Sequence, residues 1–163
     1  MKKSKKQNII IVAIAIIIIG AIAGYNYSVD QTKQKGLKFG NELQQIQEEV
    51  KQLQTEFNSK ITQWEEEDLS QQELSEYSKN HIEKLQNVIL KYDDLIPPKQ
   101  FASSVELFKL STQAQLDSDK EFIEWIKTSD DSHNIRSDSL LQESFEYEMR
   151  ALGEFNAAKS GLR

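Results

Sequence analysis

"YDDLIPPKQFASSVELF" occupies residues 92–108 and holds both prolines of the chain, Pro97 and Pro98, with apolar residues at helical spacing on either side. Pro97 biases Ile96 away from the helical region, while Pro98 fits a first helical position without losing a hydrogen bond. One helix therefore ends before the pair and another begins at it. With Pro97 as the cap, Ile96 and Phe101 stand where a hydrophobic staple forms and sets the departure angle of the next helix. The spacing predicts that Ile96, Pro97, Pro98 and Phe101 make the corner of an antiparallel helical hairpin.

Outward from that corner the pattern stays helical. Upstream, Leu74, Tyr77, His81, Leu85, Val88 and Tyr92 form one apolar stripe, widened by Ile82 and Ile89. It opens at Ser70-Gln71-Gln72-Glu73, a capping box in which serine and glutamate each satisfy an orphan amide. Before it, Phe39, Leu43, Ile46, Val50, Leu53, Phe57, Ile61 and Trp64 recur at steps of three and four. That helix is expected to stop at Glu65-Glu66-Glu67-Asp68, where acidic charge meets the negative end of the helix dipole. Downstream, Phe101, Val105, Phe108, Thr112, Leu116, Ile123 and Ile126 mark one face, and Leu107, Leu110, Ala114 and Trp125 another. Two apolar faces predict the most buried helix. Residues 127–139 are rich in turn formers, and Leu141, Phe145, Leu152 and Phe155 carry a last helix.

The expected fold is all-α: an antiparallel up-down bundle of four helices, at about 39–66, 71–95, 98–128 and 135–159, within a domain spanning 39–163.

The amino terminus is different in kind. Residues 9–24 are apolar without interruption, preceded by Lys2, Lys3, Lys5 and Lys6 and closed by Tyr25 and Tyr27. Spanning a bilayer takes ~17–25 residues, a length reached when the run is counted through Tyr27. This reading divides the chain into a basic cytoplasmic tail (1–8), a transmembrane signal-anchor (9–29) and a linker (30–38). Ile9 and Ile19 stand in the hydrocarbon, and Tyr25 and Tyr27 at the far interface. It places the protein in the cell membrane as a single-pass protein, with the domain outside the cytoplasm. Ala21-Ile22-Ala23 offers a second outcome, cleavage after Ala23 and secretion.

Charge narrows the functional classes. All 26 acidic residues lie at Asp30 or later, against 16 basic ones there, so the body carries 16 − 26 = −10. An acidic body lacks the basic face that displaces counterions from phosphate, so nucleic acid is not an expected partner. With no cysteine there is neither disulfide nor thiolate metal site.

Three inward polar residues are candidates for a polar core or a ligand cluster: His81, Asp119 and Glu148. A buried carboxylate is costly unless paired, and Arg150, Arg136 and His81 are the expected partners. Di-iron bundles need Glu-x-x-His on two helices, whereas Ser78 stands three residues before His81. Asp130-x-x-His133 has the spacing but falls in the expected turn. Trp64 and Trp125 read as core or boundary residues. No nucleophile elbow or phosphate-cradling glycine loop is present, so no catalytic residue, metal ligand or cofactor is expected.

The lysine-isoleucine anchor, the glutamine-rich first body helix and "LIPPKQFASSVELF" together resemble single-pass envelope proteins of bacteria and archaea that hold a small all-helical domain outside the membrane. The resemblance implies location and fold, with no catalytic residue to transfer. The expected role is non-enzymatic, binding or spacing another envelope component, with membrane lipid and an envelope protein as partners. A small-ligand- or metal-binding bundle is the alternative. The isolated body is expected to be a monomer or a weak homo-oligomer, pairing through Leu43, Val50 and Phe57 if it pairs at all.

Overall fold

The computed structural model describes the backbone of residues 5–28 and 34–161, and the side chains of residues 16–27 and 37–161. Among the described residues there are five α-helices and no strand: α1 Lys5–Ser28, α2 Gln34–Glu65, α3 Gln71–Asp93, α4 Ala102–Thr128 and α5 Asp131–Ser160. A short 3₁₀ turn, Lys99–Phe101, leads into α4. Helices consecutive in the chain pack side by side, and α1 packs on α2 and on α5.

The element boundaries follow from local chemistry. α2 ends where Glu67 adopts a left-handed φ of 65°, so that Asp68 N–H reaches back to the carbonyl of Gln63 at 2.8 Å. At the start of α3, Ser70 N–H donates to Glu73 Oε2 at 2.9 Å while Glu73 N–H donates to Ser70 Oγ at 3.3 Å, the reciprocal capping box. Asp130 caps α5 by accepting from Ser132 N–H at 2.9 Å.

Three expectations change. α2 begins at Gln34, inside the expected 30–38 linker, because its first turns pack against α1 and tertiary contact outweighs the helix-weakening Gly36 and Gly40. α5 begins at Asp131, since only Ser129 and Asp130 break the helical path, Ser129 at φ 59°. The corner at Pro97 and Pro98 is built without the staple. The backbone stays extended to Pro98, Ile96 points outward at 82% exposure, and Phe101 is fully buried against other partners. Leu95, one residue earlier and on the opposite side of the extended segment, is the one that turns inward.

The core has two apolar ends. At one, Tyr25, Phe39, Phe101 and Phe155 cluster, with ring centroids 4.9 Å apart for Tyr25–Phe101 and 5.0 Å for Phe101–Phe155. At the other, Phe57, Ile61, Leu74, Phe122, Ile123 and Ile126 pack together, with Trp64 edge-on to Trp125. Among the described residues α4 contributes more buried positions than any other helix, as its two apolar faces require.

α1 is joined to the first of these ends. Ile18, Ile22 and Tyr25, one face at spacings of four and three, are buried, while Ile16 and Ile17 are more than half exposed. The helix expected to lie in the bilayer thus has one face in the core. α2 and α5 cover that face and leave Ile16 and Ile17 open. Tyr25, expected at a membrane interface, is a core residue; Tyr27 is almost fully exposed, Ile19 is half-buried, and the side chain of Ile9 lies outside the described residues. Among the described residues no helix is long and apolar enough to cross a membrane, so the fold itself lends the expected span no support.

Candidate functional site: a polar belt across the core

Between the two apolar ends runs a belt of buried polar side chains drawn from three helices. Asp119 of α4 accepts from Gln54 Nε2 of α2 at 2.8 Å and lies 3.0 Å from His81 Nε2 of α3, both through Oδ2. The side chains of His81 and Asp119 are 0% and 5% exposed. The imidazole stacks on Phe57 at 4.2 Å and 8° between planes, and its Nδ1 has no hydrogen-bond partner among the described residues. A single carboxylate thus clasps three helices through polar contacts, each charge-assisted bond contributing ~1.5–3 kcal/mol.

Towards the aromatic end, Gln47 Nε2 donates to the Tyr92 hydroxyl at 2.8 Å, and that hydroxyl stands 3.0 Å from Thr112 Oγ1. Thr112 in turn donates to the Phe108 carbonyl at 3.0 Å, so the Tyr92 proton is free to go to Thr112 and every oxygen in the relay is used. Burial raises the Tyr92 phenol well above its ordinary range.

Glu148 of α5 does not join His81 and Asp119. It is half-buried on the inward side, and burial pushes its carboxyl up to about 7. Its charge is felt at Tyr92 and raises that phenol further. The three residues grouped by their inward positions therefore divide into a bonded pair and a separate, desolvated carboxyl.

Of the basic residues expected as partners, His81 does stand beside Asp119, whereas Arg136 is engaged elsewhere. Arg136 binds Glu121 through Nε at 3.0 Å, and His133 Nδ1 lies 2.6 Å from the other oxygen of the same carboxylate. Hydrogen bonding to Glu121 raises the His133 pKa. Asp130 is occupied as the α5 cap, so the Asp130–His133 spacing is explained by capping and by a pair across α4 and α5.

Gln47 and Gln54 went unrecognised because glutamine reads as a surface residue in a polarity pattern. The signal was present: they stand seven apart, each four residues after a stripe position, Leu43 and Val50. Among the described residues no group of three or more His, Asp or Glu is placed to hold a metal. Grooves between α2 and α3 (Glu49, Lys91), beside the α3 start (Ser70, Lys127) and between α1 and α2 (Ile19, Gln52) include none of His81, Asp119 and Glu148. Chemically, the pair is committed to its own helices: the Asp119 oxygen that faces the ring is shared with Gln54, and Phe57 closes one ring face.

No protein-family model matches the chain, and neither the curated proteins nor the solved structures give a match.

Proposed function

We propose that this chain is a non-enzymatic helical domain, held at the outer side of the cell membrane by its N-terminal helix, that binds or spaces another envelope component. The observation that carries this reading is the makeup of α1. Residues 9–24 contain no polar side chain, and Ile16 and Ile17 remain more than half exposed on the folded domain. Covering such a face with lipid removes apolar surface from water at ~25 cal/mol per Å². The four lysines ahead of the run favour a cytoplasmic amino terminus. The rigid body suits spacing: α2 alone, at ~1.5 Å per residue, is about 48 Å long. The belt supports the non-enzymatic part, because Asp119 is shared between Gln54 and His81, and the Tyr92 hydroxyl between Gln47 and Thr112.

The test is alkaline extraction and flotation of the full chain from membranes, with protease added from outside and the mass of the amino terminus determined. The expected result is a carbonate-resistant chain with residue 9 onward intact and its body open to protease. Quantitative release by carbonate overturns the anchor, and a chain beginning at Gly24 replaces it with secretion. Steady turnover of any substrate by the body removes the non-enzymatic reading.

A further inference from the structure

We infer that the seam between α2 and α5 is a helix-receiving groove that α1 fills only while it is not crossing the membrane, so that anchoring opens the groove. This rests on the anchoring proposed above. In the docked arrangement Ile18, Ile22 and Tyr25 are buried, the Tyr25 ring lying 4.9 Å from Phe101, 5.8 Å from Phe155 and 6.2 Å from Phe39. If those residues stay in the core, the apolar run left for the bilayer is 9–17. Nine residues at ~1.5 Å each give about 14 Å, against a hydrocarbon core of ~30 Å. A docked α1 cannot span. A spanning α1 must draw residues 18–24 out of the domain, which uncovers Phe39, Leu43, Phe101 and Phe155 along one apolar channel.

The docked position is specific. The Asn26 amide donates to Asn41 Oδ1 at 3.0 Å and to Gln44 Oε1 at 3.2 Å on α2. Gly40 lies directly beneath: a Cβ there would collide with the Asn26 side chain. α1 and α2 approach closely because position 40 has no side chain, so the groove is shaped to one helix in one register. On the other flank Lys159 of α5 lies against Gly24. The occupant is therefore the chain's own α1, and the property that shifts with anchoring is the exposure of the aromatic channel.

The chain has no cysteine, so an introduced pair reports a single distance. Ile19 and Gln52 line one groove between α1 and α2. The full chain carrying Ile19→Cys and Gln52→Cys is synthesised cell-free, with or without phosphatidylethanolamine–phosphatidylglycerol vesicles, and treated with a short bismaleimide. The expected result is efficient cross-linking without vesicles and at least a tenfold drop in the floated, carbonate-resistant fraction. Chain cross-linked before vesicles are added should fail to become carbonate-resistant. Gly40→Leu should abolish the cross-link without vesicles and leave flotation intact.

A carbonate-resistant chain that still cross-links fully overturns the inference while leaving the anchor standing. Flotation without a cross-link in either arm likewise sinks the docked state alone, as does full cross-linking of Gly40→Leu. Failure to float in every arm removes the anchor, and the exclusion with it.

Discussion

Two seams of this domain are closed by opposite means. Between α4 and α5 the facing residues are small: Ser111 Oγ lies 3.1 Å from Ser144 Oγ, Ser118 Oγ lies 3.0 Å from Ser137 Oγ, and Ser144 and Ser118 each also donate to a backbone carbonyl across the interface. Continuing that antiparallel register sets buried Ser104 level with buried Ala151. Small side chains let the two backbones close up, and this is the most extensive helix contact in the molecule. Between α2 and α5 the facing residues are large and aromatic, and the space they leave is filled by a third helix, α1. A seam shut by small residues has nothing to lose. A seam shut by an inserted helix can be reopened.

Substitutions test that contrast, from the largest expected effect to the smallest. Phe155→Ala, in the aromatic seam, should lower unfolding stability by ~3–5 kcal/mol in urea denaturation without lipid. In the vesicle-bound chain the loss should be smaller, because Tyr25 has already left; equal losses would erase the distinction between the seams. Ser144→Leu forces bulk between α4 and α5 and orphans Ser111, and should destabilise by ~1–3 kcal/mol with or without vesicles. Ala23→Leu, on the open side of α1, should stay within ~0.5 kcal/mol.

Glu148, on the inward side of α5, sharpens the picture through pH. Its folded pKa of about 7 lies above the ordinary 4.5 because burial disfavours the charge. Between those values the folded state holds a proton that the unfolded state has released, so stability falls as pH rises from 4.5 to 7. Glu148→Gln should therefore be more stable than the parent by about 2 kcal/mol at pH 8, less than the full shift implies because the group is only partly shielded. The gain should vanish below pH 4.5. A pH-independent difference in denaturation midpoint would refute this.

A further test lies at the turn-connected end of the serine seam. His133 has a folded pKa raised above 6.5 by Glu121. Its contribution is complete below 6.5 and is lost as pH rises through the folded value. Proton NMR of the His133 ring should show that elevation, and Glu121→Gln should bring it back towards 6.5; an unchanged titration would break the assignment.

What was legible in the sequence was whatever alternates apolar with polar at helical spacing. The stripes of Leu43 to Trp64 and Leu74 to Tyr92 located two helices, and Ser70 with Glu73 located a boundary to the residue. His81 and Asp119 stood out because inward charge is costly, and the structure places them 3.0 Å apart. Hidden features lacked polarity contrast. α1 is apolar on every side, so no pattern distinguishes the face bearing Ile18, Ile22 and Tyr25. Serine counts as polar, so Ser111 and Ser144 read as surface although their size makes them interior. Gln54 was concealed in the same way. The corner misled for another reason: staple spacing presumes a helix from Pro97 onward, and an extended Ile96 cannot make it.

The serine seam also raises a question of phase. Its small residues recur every seventh position, at 104, 111 and 118 on α4 and at 137, 144, 151 and 158 on α5. Sliding α5 by seven residues, ~10 Å along its axis, would again set small against small at three rungs: Ser118 with Ser144, Ser111 with Ala151, Ser104 with Ala158. The ladder behaves like a vernier whose marks coincide at more than one setting. What selects the setting is the brevity of the turn: two residues, Ser129 and Asp130, reach across only when Ser118 meets Ser137. Trp125, falling where the next small residue of α4 would be, spoils the slipped alignment by meeting Ser137. The shortest connection in the chain thus acts as the index mark for its longest helix contact.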